Sequence, residues 1–319
     1  MFFRRRSRSA RNEPDPHFPS MTVKEAEQLR SALRTRVVES GGSLRIDGLH
    51  GIIDHSRHGR VTLNLENLVR DVAHSQHPKA ATTLTRSFLD AMLNANRVAG
   101  LDTAELYAGL RMRIAPIRGL VTEEADIIHS ATVHRFTDDT AVTLVLDTAT
   151  SIQTMPLDRL RRIDELDTLV RAARTNLHRE LLDAHIITHQ HPGSEAHPGA
   201  RFRSFESENY YIASTPIFLE EMLQRWAPDL DLSRGVLFAM PTRHILLARD
   251  VTTGEDLLEG LGRMAPVAAH IAADGAHAVS PLLHLFHDGE VETLSTFDDK
   301  ARELKILPTP YLLELISEK

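Results

Sequence analysis

Apolar residues recur along this chain with two different periods, which predict helices in some segments and strands in others. Residues 22–38 carry apolar positions three or four apart, and Thr22 followed by Glu25 is a capping-box pattern that predicts the start of a helix. Further helices are predicted over 66–75, 79–98, 156–163, 165–183, 215–226, 253–273 and the C-terminal segment TPYLLELISE.

Strands are predicted mainly as pairs joined by short turns. Apolar runs bounded by turn residues predict hairpins over 131–148, 200–214, 235–250 and 279–295. The third hairpin is expected to turn at Pro241-Thr242 and the fourth at Asp288-Gly289. Single strands are predicted at 43–47, 60–65 and 111–118, with a turn-rich connection, HGIIDHSRHG, between the first two.

Hairpins join antiparallel strands, so this order of elements predicts an α+β fold with antiparallel, hairpin-based sheets and packed helices. The order of helices and strands looks similar in the two halves. We therefore expect a disordered basic leader over 1–21, an N-terminal α+β domain over 22–155 and a C-terminal α+β domain over 156–319, the last with a loop insertion at 185–200.

Charge and composition narrow the class of protein. Residues 1–20 carry five arginines and two acids, a charge of +3, which leaves −10 for the remainder of a chain of net charge −7. An acidic body is not typical of a nucleic-acid-binding domain, so contact with nucleic acid or an anionic membrane is expected only through the Arg-rich tail. No apolar run is long enough for a transmembrane segment, and the absence of cysteine fits a cytoplasmic protein.

The stretch DAHIITHQHPGSEAHPGARF, residues 183–202, raises the question of a metal site. His185 and His189 are four residues apart, which on a helix would place two imidazoles on one face, and His191 could add a third ligand. However, β-branched residues and a Pro/Gly-rich segment do not favour a helix here. We therefore expect a surface loop without a metal cofactor.

Two other polar segments are candidate sites. Asp54 and His58, in IDHSRHGR, could take part in metal binding or acid–base chemistry, or could belong to a polar turn between strands. Arg243 and His244, in PTRHILLARD, could clamp a carboxylate or phosphate, or could be the charged tip of a hairpin. The turn and the hairpin tip are the expected roles.

Three ordered segments carry a resemblance to a known family. They are RVTLNLENLVRDV; RMRIAPIR with the later VTLVLDTATSIQTMPLDRL and AARTNL; and GVLFAMPTRHILLARD with VSPLLHLFHDGEV. Together they resemble the YtpQ-like family (domain of unknown function 1444) over most of residues 22–295. His244 stands where that family tends to have an acid, and the histidine stretch looks like an insertion. The resemblance implies a bacterial α+β protein and implies no activity.

No catalytic sequence signature accompanies these patterns. The chain has neither a Gly-x-Ser-x-Gly elbow, nor a Walker loop, nor a dinucleotide fingerprint after a strand. We therefore expect a protein that acts by contacts with an unknown protein partner, without catalysis. The alternative is a hydrolase or small-molecule-binding protein whose site lies near the 54–58 and 241–244 turns.

Overall fold

A computed structural model describes residues 13–55, 59–75, 80–94, 103–120, 122–148, 151–274, 277–298 and 303–318. Helices and antiparallel sheets occur together, which confirms the predicted α+β class. The helices are α1 Val23–Glu39, α2 Glu66–His74, α3 Ala80–Asn94, α4 Thr103–Gly109, α5 Thr122–Ala131, α6 Leu157–Leu160, α7 Leu166–Asp183, α8 Leu219–Trp226, α9 Gly254–Asp274 and α10 Pro310–Ser317.

The strands are mostly short. They are β1 Gly42–Asp47, β2 His50–His55, β3 Gly59–Asn64, β4 Leu110–Pro116, β5 Thr132–Arg135, β6 Thr140–Thr148, β7 Ser151–Thr154, β8 Ile187–His191, β9 Phe202–Glu206, β10 Val236–Thr242, β11 Ile245–Asp250, β12 His284–His287, β13 Glu290–Thr293, β14 Ser295–Asp298 and β15 Glu303–Ile306. A 3-10 helix, Ile212–Phe218, precedes α8.

Hydrogen bonding joins these strands into four sheets within the described residues. One has the order β1-β2-β3, one is the pair β14-β15, and one has the order β4-β6-β5 with β7 also paired to β6. The largest has the order β13-β12-β10-β11-β9-β8, and each of its pairs is antiparallel. Among the described helices, none is both long and apolar enough to cross a bilayer.

The chain divides into two compact units at positions other than the predicted boundary. Unit 1 comprises residues 1–106 and 147–153, and unit 2 comprises residues 107–146 and 154–319. Residues 107–146, expected in the N-terminal domain, belong to unit 2, because α7 packs against β4, which pairs along its whole length with β6.

Unit 1 is built around the first helix. Thr22 caps α1 as its sequence predicts: the Thr22 hydroxyl accepts from the Glu25 N–H at 3.3 Å, and the Glu25 carboxylate accepts from the Thr22 N–H at 2.8 Å. The apolar face of α1 contacts α3 and β1. Its buried side chains, one every three or four residues, are Ala26, Leu29, Leu33 and Val37.

The predicted disorder of residues 1–21 is wrong for residues 13–21, and residues 1–12, with the five arginines, lie outside the described residues. Phe18 and Met21 are buried in the core of unit 1. Asp15 accepts two hydrogen bonds from the Arg30 guanidinium, at 2.7 and 2.9 Å, and the guanidinium lies 4.4 Å from the centre of the Phe18 ring. The composition of this segment suggests disorder because its order depends on few contacts, mainly one buried aromatic side chain and one ion pair.

Asp15 makes the stability of unit 1 dependent on pH. The hydrogen bonds from Arg30, aided by the backbone N–H groups of His17 and Phe18 and opposed by burial, lower the pKa of Asp15 from 3.8 to about 2. A lowered carboxyl pKa stabilises the folded state above pH 3.8, and this stability is lost as the pH falls towards 2. We expect Asp15→Asn to lower the free energy of unfolding at pH 7 by on the order of 2 kcal/mol.

Urea unfolding at pH 7 and at steps between pH 4 and 2 measures this effect. The difference between wild type and Asp15→Asn should shrink as the pH falls. Glu13→Gln, at an exposed position two residues away, is the control and should stay within about 0.5 kcal/mol of wild type. An Asp15→Asn difference that does not change with pH would contradict the account.

The six-stranded sheet is the centre of unit 2. β10 and β11, which form the predicted 235–250 hairpin, are its two middle strands. Every residue of β10 is buried, as expected for a strand covered on both faces. α9 packs on one face, where its apolar side chains meet those of the strands; the buried α9 members are Leu257, Leu261, Met264, Ala265 and Ala268.

Three expectations about local structure are wrong. The connection over 50–59 contains strand β2, whose six residues pair with β1 and β3. The 200–214 segment is not a hairpin: β9 pairs with β8 and β11, and the chain then enters the 3-10 helix. The helix predicted over 215–226 begins only at Leu219, because Thr215 and Pro216 lie inside that 3-10 helix.

Candidate functional site

Asp54 lies on a strand, not in the expected turn, and His58 lies outside the described residues. Asp54 is exposed on β2, opposite Ser43 of β1 and Arg60 of β3. Its neighbour His55 is buried, and the His55 Nε2 lies 2.7 Å from the Ser40 carbonyl oxygen at the end of α1. Strand alternation separates the two side chains, so His55 holds a helix end while Asp54 faces outward. Asp54 belongs to unit 1, and Arg243 and His244 belong to unit 2.

The histidine stretch is part strand, which corrects the predicted loop at 185–200. α7 ends at Asp183, so His185 and His189 do not share a helix face. Residues 187–191 form the edge strand β8, paired along its length with β9. His191 stacks on Phe202 with ring centres 4.4 Å apart, while His185 and His189 are exposed. Within the described part of the chain, no group of three or more His, Asp or Glu side chains is arranged to hold a metal ion.

Arg243 and His244, and not the expected Pro241-Thr242, form the two-residue turn between β10 and β11, because Thr242 pairs with Ile245. Hydrogen bonds from three directions fix the turn's backbone. The Arg243 N–H donates to the His277 carbonyl at 3.2 Å, and the Arg243 and His244 carbonyls accept from Ala213 and Ser207 at 3.1 and 3.2 Å. The tip of this hairpin is therefore held rigidly by the chain around it.

The side chains of the turn form a compact group with Tyr210, which we call the Arg243 cluster: Tyr210, Arg243 and His244. The Arg243 Cζ lies 4.0 Å from the centre of the Tyr210 ring, a cation–π contact. The Arg243 Nε donates to His244 Nε2 at 3.1 Å. Both turn residues are half-buried, and Tyr210 is 45% exposed. Arg243 and His244 thus lie at the tip of a hairpin, where the arginine is stacked and hydrogen-bonded.

These contacts determine which ring nitrogen of His244 carries the proton. Because Nε2 accepts a hydrogen bond from Arg243, its lone pair lies in that bond and the proton of the neutral ring is on Nδ1. Nδ1 then donates to the carbonyl oxygens of Ser207 and Asn209, at 3.1 and 3.2 Å. Burial, with smaller contributions from the charges of Arg243 and His277, lowers the pKa of His244, so the ring is neutral at pH 7.

A second polar group, inside unit 2, has no counterpart in the sequence patterns. Ser280 Oγ lies 2.7 Å from Asp139 Oδ2 and 3.3 Å from His284 Nε2, and Asp139 Oδ1 also accepts from Thr137. Ser280 and His284 are fully buried, and Asp139 is 5% exposed. Burial raises the pKa of Asp139 and lowers the pKa of His284 to about 3. The three residues are up to 145 positions apart in the chain, so no local pattern could indicate the group.

Neither group has the arrangement of a hydrolytic site. In a nucleophilic triad the histidine lies between the hydroxyl and the carboxylate, whereas here Ser280 lies between Asp139 and His284 and is shut off from solvent. In the Arg243 cluster both nitrogens of His244 are already engaged, so the ring cannot accept a proton without breaking a hydrogen bond.

The fold and the site thus define an α+β protein with a rigid, half-exposed Arg–His–Tyr cluster at one hairpin tip. The chain matches no family model, no curated protein and no solved structure.

Proposed function

We propose that this protein acts by contacts with a protein partner, without catalysis, and that the Arg243 cluster is the centre of the contact surface. The observation that carries the proposal is the guanidinium of Arg243, held 4.0 Å from the Tyr210 ring while its Nε donates to His244. Arginine and tyrosine are among the residues that most often dominate binding energy at protein interfaces.

Rigidity is what makes the cluster suited to binding. An arginine that is ordered only on binding loses rotamer freedom worth about 0.5–1.5 kcal/mol. Arg243 is already fixed by a ring contact, a side-chain hydrogen bond and a backbone held at the turn. Binding of a partner therefore costs little additional side-chain entropy at Arg243.

The chemistry of the cluster indicates what the partner presents. A guanidinium recognises carboxylates through its planar fork of N–H groups. Neutral His244 adds no second positive charge beside it. We therefore expect the partner to place an Asp, Glu or C-terminal carboxylate against Arg243, with an apolar or aromatic group packed on the exposed side of Tyr210.

The hydrolase alternative receives no support from the described residues. His244 has both ring nitrogens engaged in hydrogen bonds, so it is not placed to act as an acid or base. Membership of the YtpQ-like family, and a bacterial, cytoplasmic origin, stay proposals that are supported by the three ordered sequence segments and by the absence of cysteine.

A capture experiment with two matched arginine variants tests the proposal. Tagged wild type, Arg243→Lys and Arg225→Lys are used to capture proteins from extracts of the host cell, followed by quantitative mass spectrometry. Lysine keeps the charge but loses the fork and the ring stacking, so Arg243→Lys should reduce capture of the partner at least about tenfold. Arg225, exposed on α8, is the control and should leave capture unchanged.

Stability must stay constant for this comparison to be decisive. Both lysine variants should melt within about two degrees of wild type, because neither changes a core side chain. Equal capture by Arg243→Lys and Arg225→Lys would overturn the role of the cluster. A hydrolytic activity of the wild type that is lost in His244→Gln would overturn the non-catalytic account.

A further inference from the structure

The two outer strands of the six-stranded sheet differ in how they are protected. β13 carries Glu290 and Glu292, both exposed, and like charges on an outer strand oppose pairing with a further strand. β8, with the sequence ITHQH, has no acid, lysine, arginine or proline. Its register with β9 runs without a bulge over all five residues. Within the described residues, β8 thus has none of the usual devices that block an exposed edge.

The side chains of β8 are also open to solvent. Residues 187–190 are exposed, and Ile187 has half of its surface accessible. β8 is paired only with β9 in the described part of the sheet, so its other edge directs backbone N–H and C=O groups outward. An extended strand laid antiparallel against that edge would continue the hydrogen-bonded ladder.

Two of the histidines share one face of this strand. Side chains alternate along a strand, so His189 and His191 lie on the same face. Their partners in β9, Ser204 and Phe202, are on that face too. The His191 ring is held there by stacking on Phe202 and by a 3.2 Å contact from its Nε2 to Ser204 Oγ, whereas His189 is exposed. One chain thus supplies two imidazoles at the edge, fewer than a closed metal site requires.

A second copy of the chain would complete the set. When two identical β8 strands pair antiparallel about a two-fold axis through their central residue, His189 of one copy faces His189 of the other. The Cβ atoms of such a pair lie about 4.5–5.5 Å apart, and each His189 has His191 of the other copy as a diagonal neighbour about 7–8 Å away. The two His189 rings and one His191 ring would then lie within reach of a single ion, and three imidazoles are the protein ligands of an open zinc site.

We propose that β8 is a self-association edge, at which two copies pair through this strand and bind a zinc-type divalent cation between their histidines. The ligands indicate that the partner strand belongs to a second copy of the chain. An uncharged edge accepts any extended strand, but only another β8 brings matching imidazoles. The interface is isologous and closes at two copies, because the acidic β13 edges cannot pair with each other in the same way.

Light scattering coupled to size exclusion measures the predicted assembly on the full chain. With zinc chloride the mass should rise from 35.7 kDa to twice that value, and EDTA should reverse the change. Zinc analysis of the dimer should give one ion per two chains. His189→Ala should abolish the zinc-induced dimer, and so should Thr188→Lys, which places a charge on the pairing edge without removing a histidine.

His185→Ala is the matched control, since His185 is exposed but precedes the strand. It should dimerise with zinc like the wild type. All three positions are exposed, so circular dichroism should show unchanged folding in each variant. A chain that stays monomeric with zinc, or a zinc-induced dimer that survives His189→Ala, would overturn the proposal. Equal loss in His185→Ala would also overturn it, since it would indicate unspecific binding by surface histidines.

Discussion

Replacing Gly260 by alanine is expected to lower the free energy of unfolding by about 3 kcal/mol, whereas the same replacement at Gly262, two residues along α9, is expected to raise it by about 0.5–1 kcal/mol. A Cβ on Gly260 would lie 1.1 Å from Nη1 and 2.3 Å from Cζ of Arg249. A Cβ on Gly262 meets nothing within 4 Å. Glycine is unfavourable inside a helix, but at position 260 it leaves the space that the Arg249 guanidinium occupies.

Arg249 cannot move aside cheaply because it is fully buried and holds several segments together. Its guanidinium donates to three backbone carbonyls, those of Gly199, Asp250 and Asp256, at 3.1–3.3 Å, and to the Thr252 hydroxyl at 2.7 Å. Burial lowers the pKa of Arg249, and the nearby carboxylates of Asp250 and Asp256 counter this effect. Displacement would leave a buried cation without its hydrogen bonds.

Urea unfolding of the two glycine variants decides whether this description is right. The expected result is that the change in the free energy of unfolding has opposite signs for the alanine variants at Gly260 and Gly262. If Gly260→Ala is as stable as wild type, the guanidinium has room to relocate and the Arg249 contacts do not contribute to holding the 192–200 segment against α9.

Shortening Leu246 to alanine is expected to cost about 2–5 kcal/mol, the second large effect. Leu246 is fully buried on β11, one of the two middle strands, so the cost combines lost apolar burial with a cavity that the flanking strands cannot close. The control is Leu258→Ala on α9, where the side chain is 55% exposed and the change should cost under about 1 kcal/mol.

Thermal and urea unfolding of both leucine variants check this contrast. Leu246→Ala should shift the urea midpoint without changing the slope of the transition, because the unfolded surface stays the same. A silent Leu246→Ala would mean that the side chain is not in the core and that the strand alternation of β11 is misassigned.

The sequence predicts the elements whose own residues carry the signal. The Asp288-Gly289 turn is one example, since both residues adopt positive φ, 51° and 80°, as a two-residue hairpin turn of this type requires. The capping box at Thr22 and the continuous apolar runs of β10 and β11 are others. In each case local propensity and tertiary burial favour the same structure.

Elements that are stabilised by residues distant in the sequence cannot be predicted in this way. β8 is exposed along most of its length, so its residues show no apolar alternation, and it is a strand because β9 offers a ladder. β2 carries His, Gly and Asp, which resemble a turn, yet strands on both sides hold it extended. Propensity is a weak guide where pairing decides the structure.

The candidate site shows the same division. Arg243 and His244 can be singled out in the sequence as a polar pair between two apolar runs. Their environment cannot be predicted from the sequence, because Tyr210 lies 33 residues away and His277 contacts the turn from beyond α9. Local sequence rules predict a solvated turn, whereas these contacts hold the arginine in place beside a neutral histidine.

Site-specific photocrosslinking in the host cell tests the central claim, that the Arg243 cluster recognises a protein partner, most directly. A photoreactive residue at exposed position 208, next to the cluster, should crosslink one defined partner, and Arg243→Lys in the same chain should remove that product. The same group at exposed position 292, on the β13 edge, should not yield the product. Equal products from positions 208 and 292, or a product at 208 that persists in Arg243→Lys, would contradict the account.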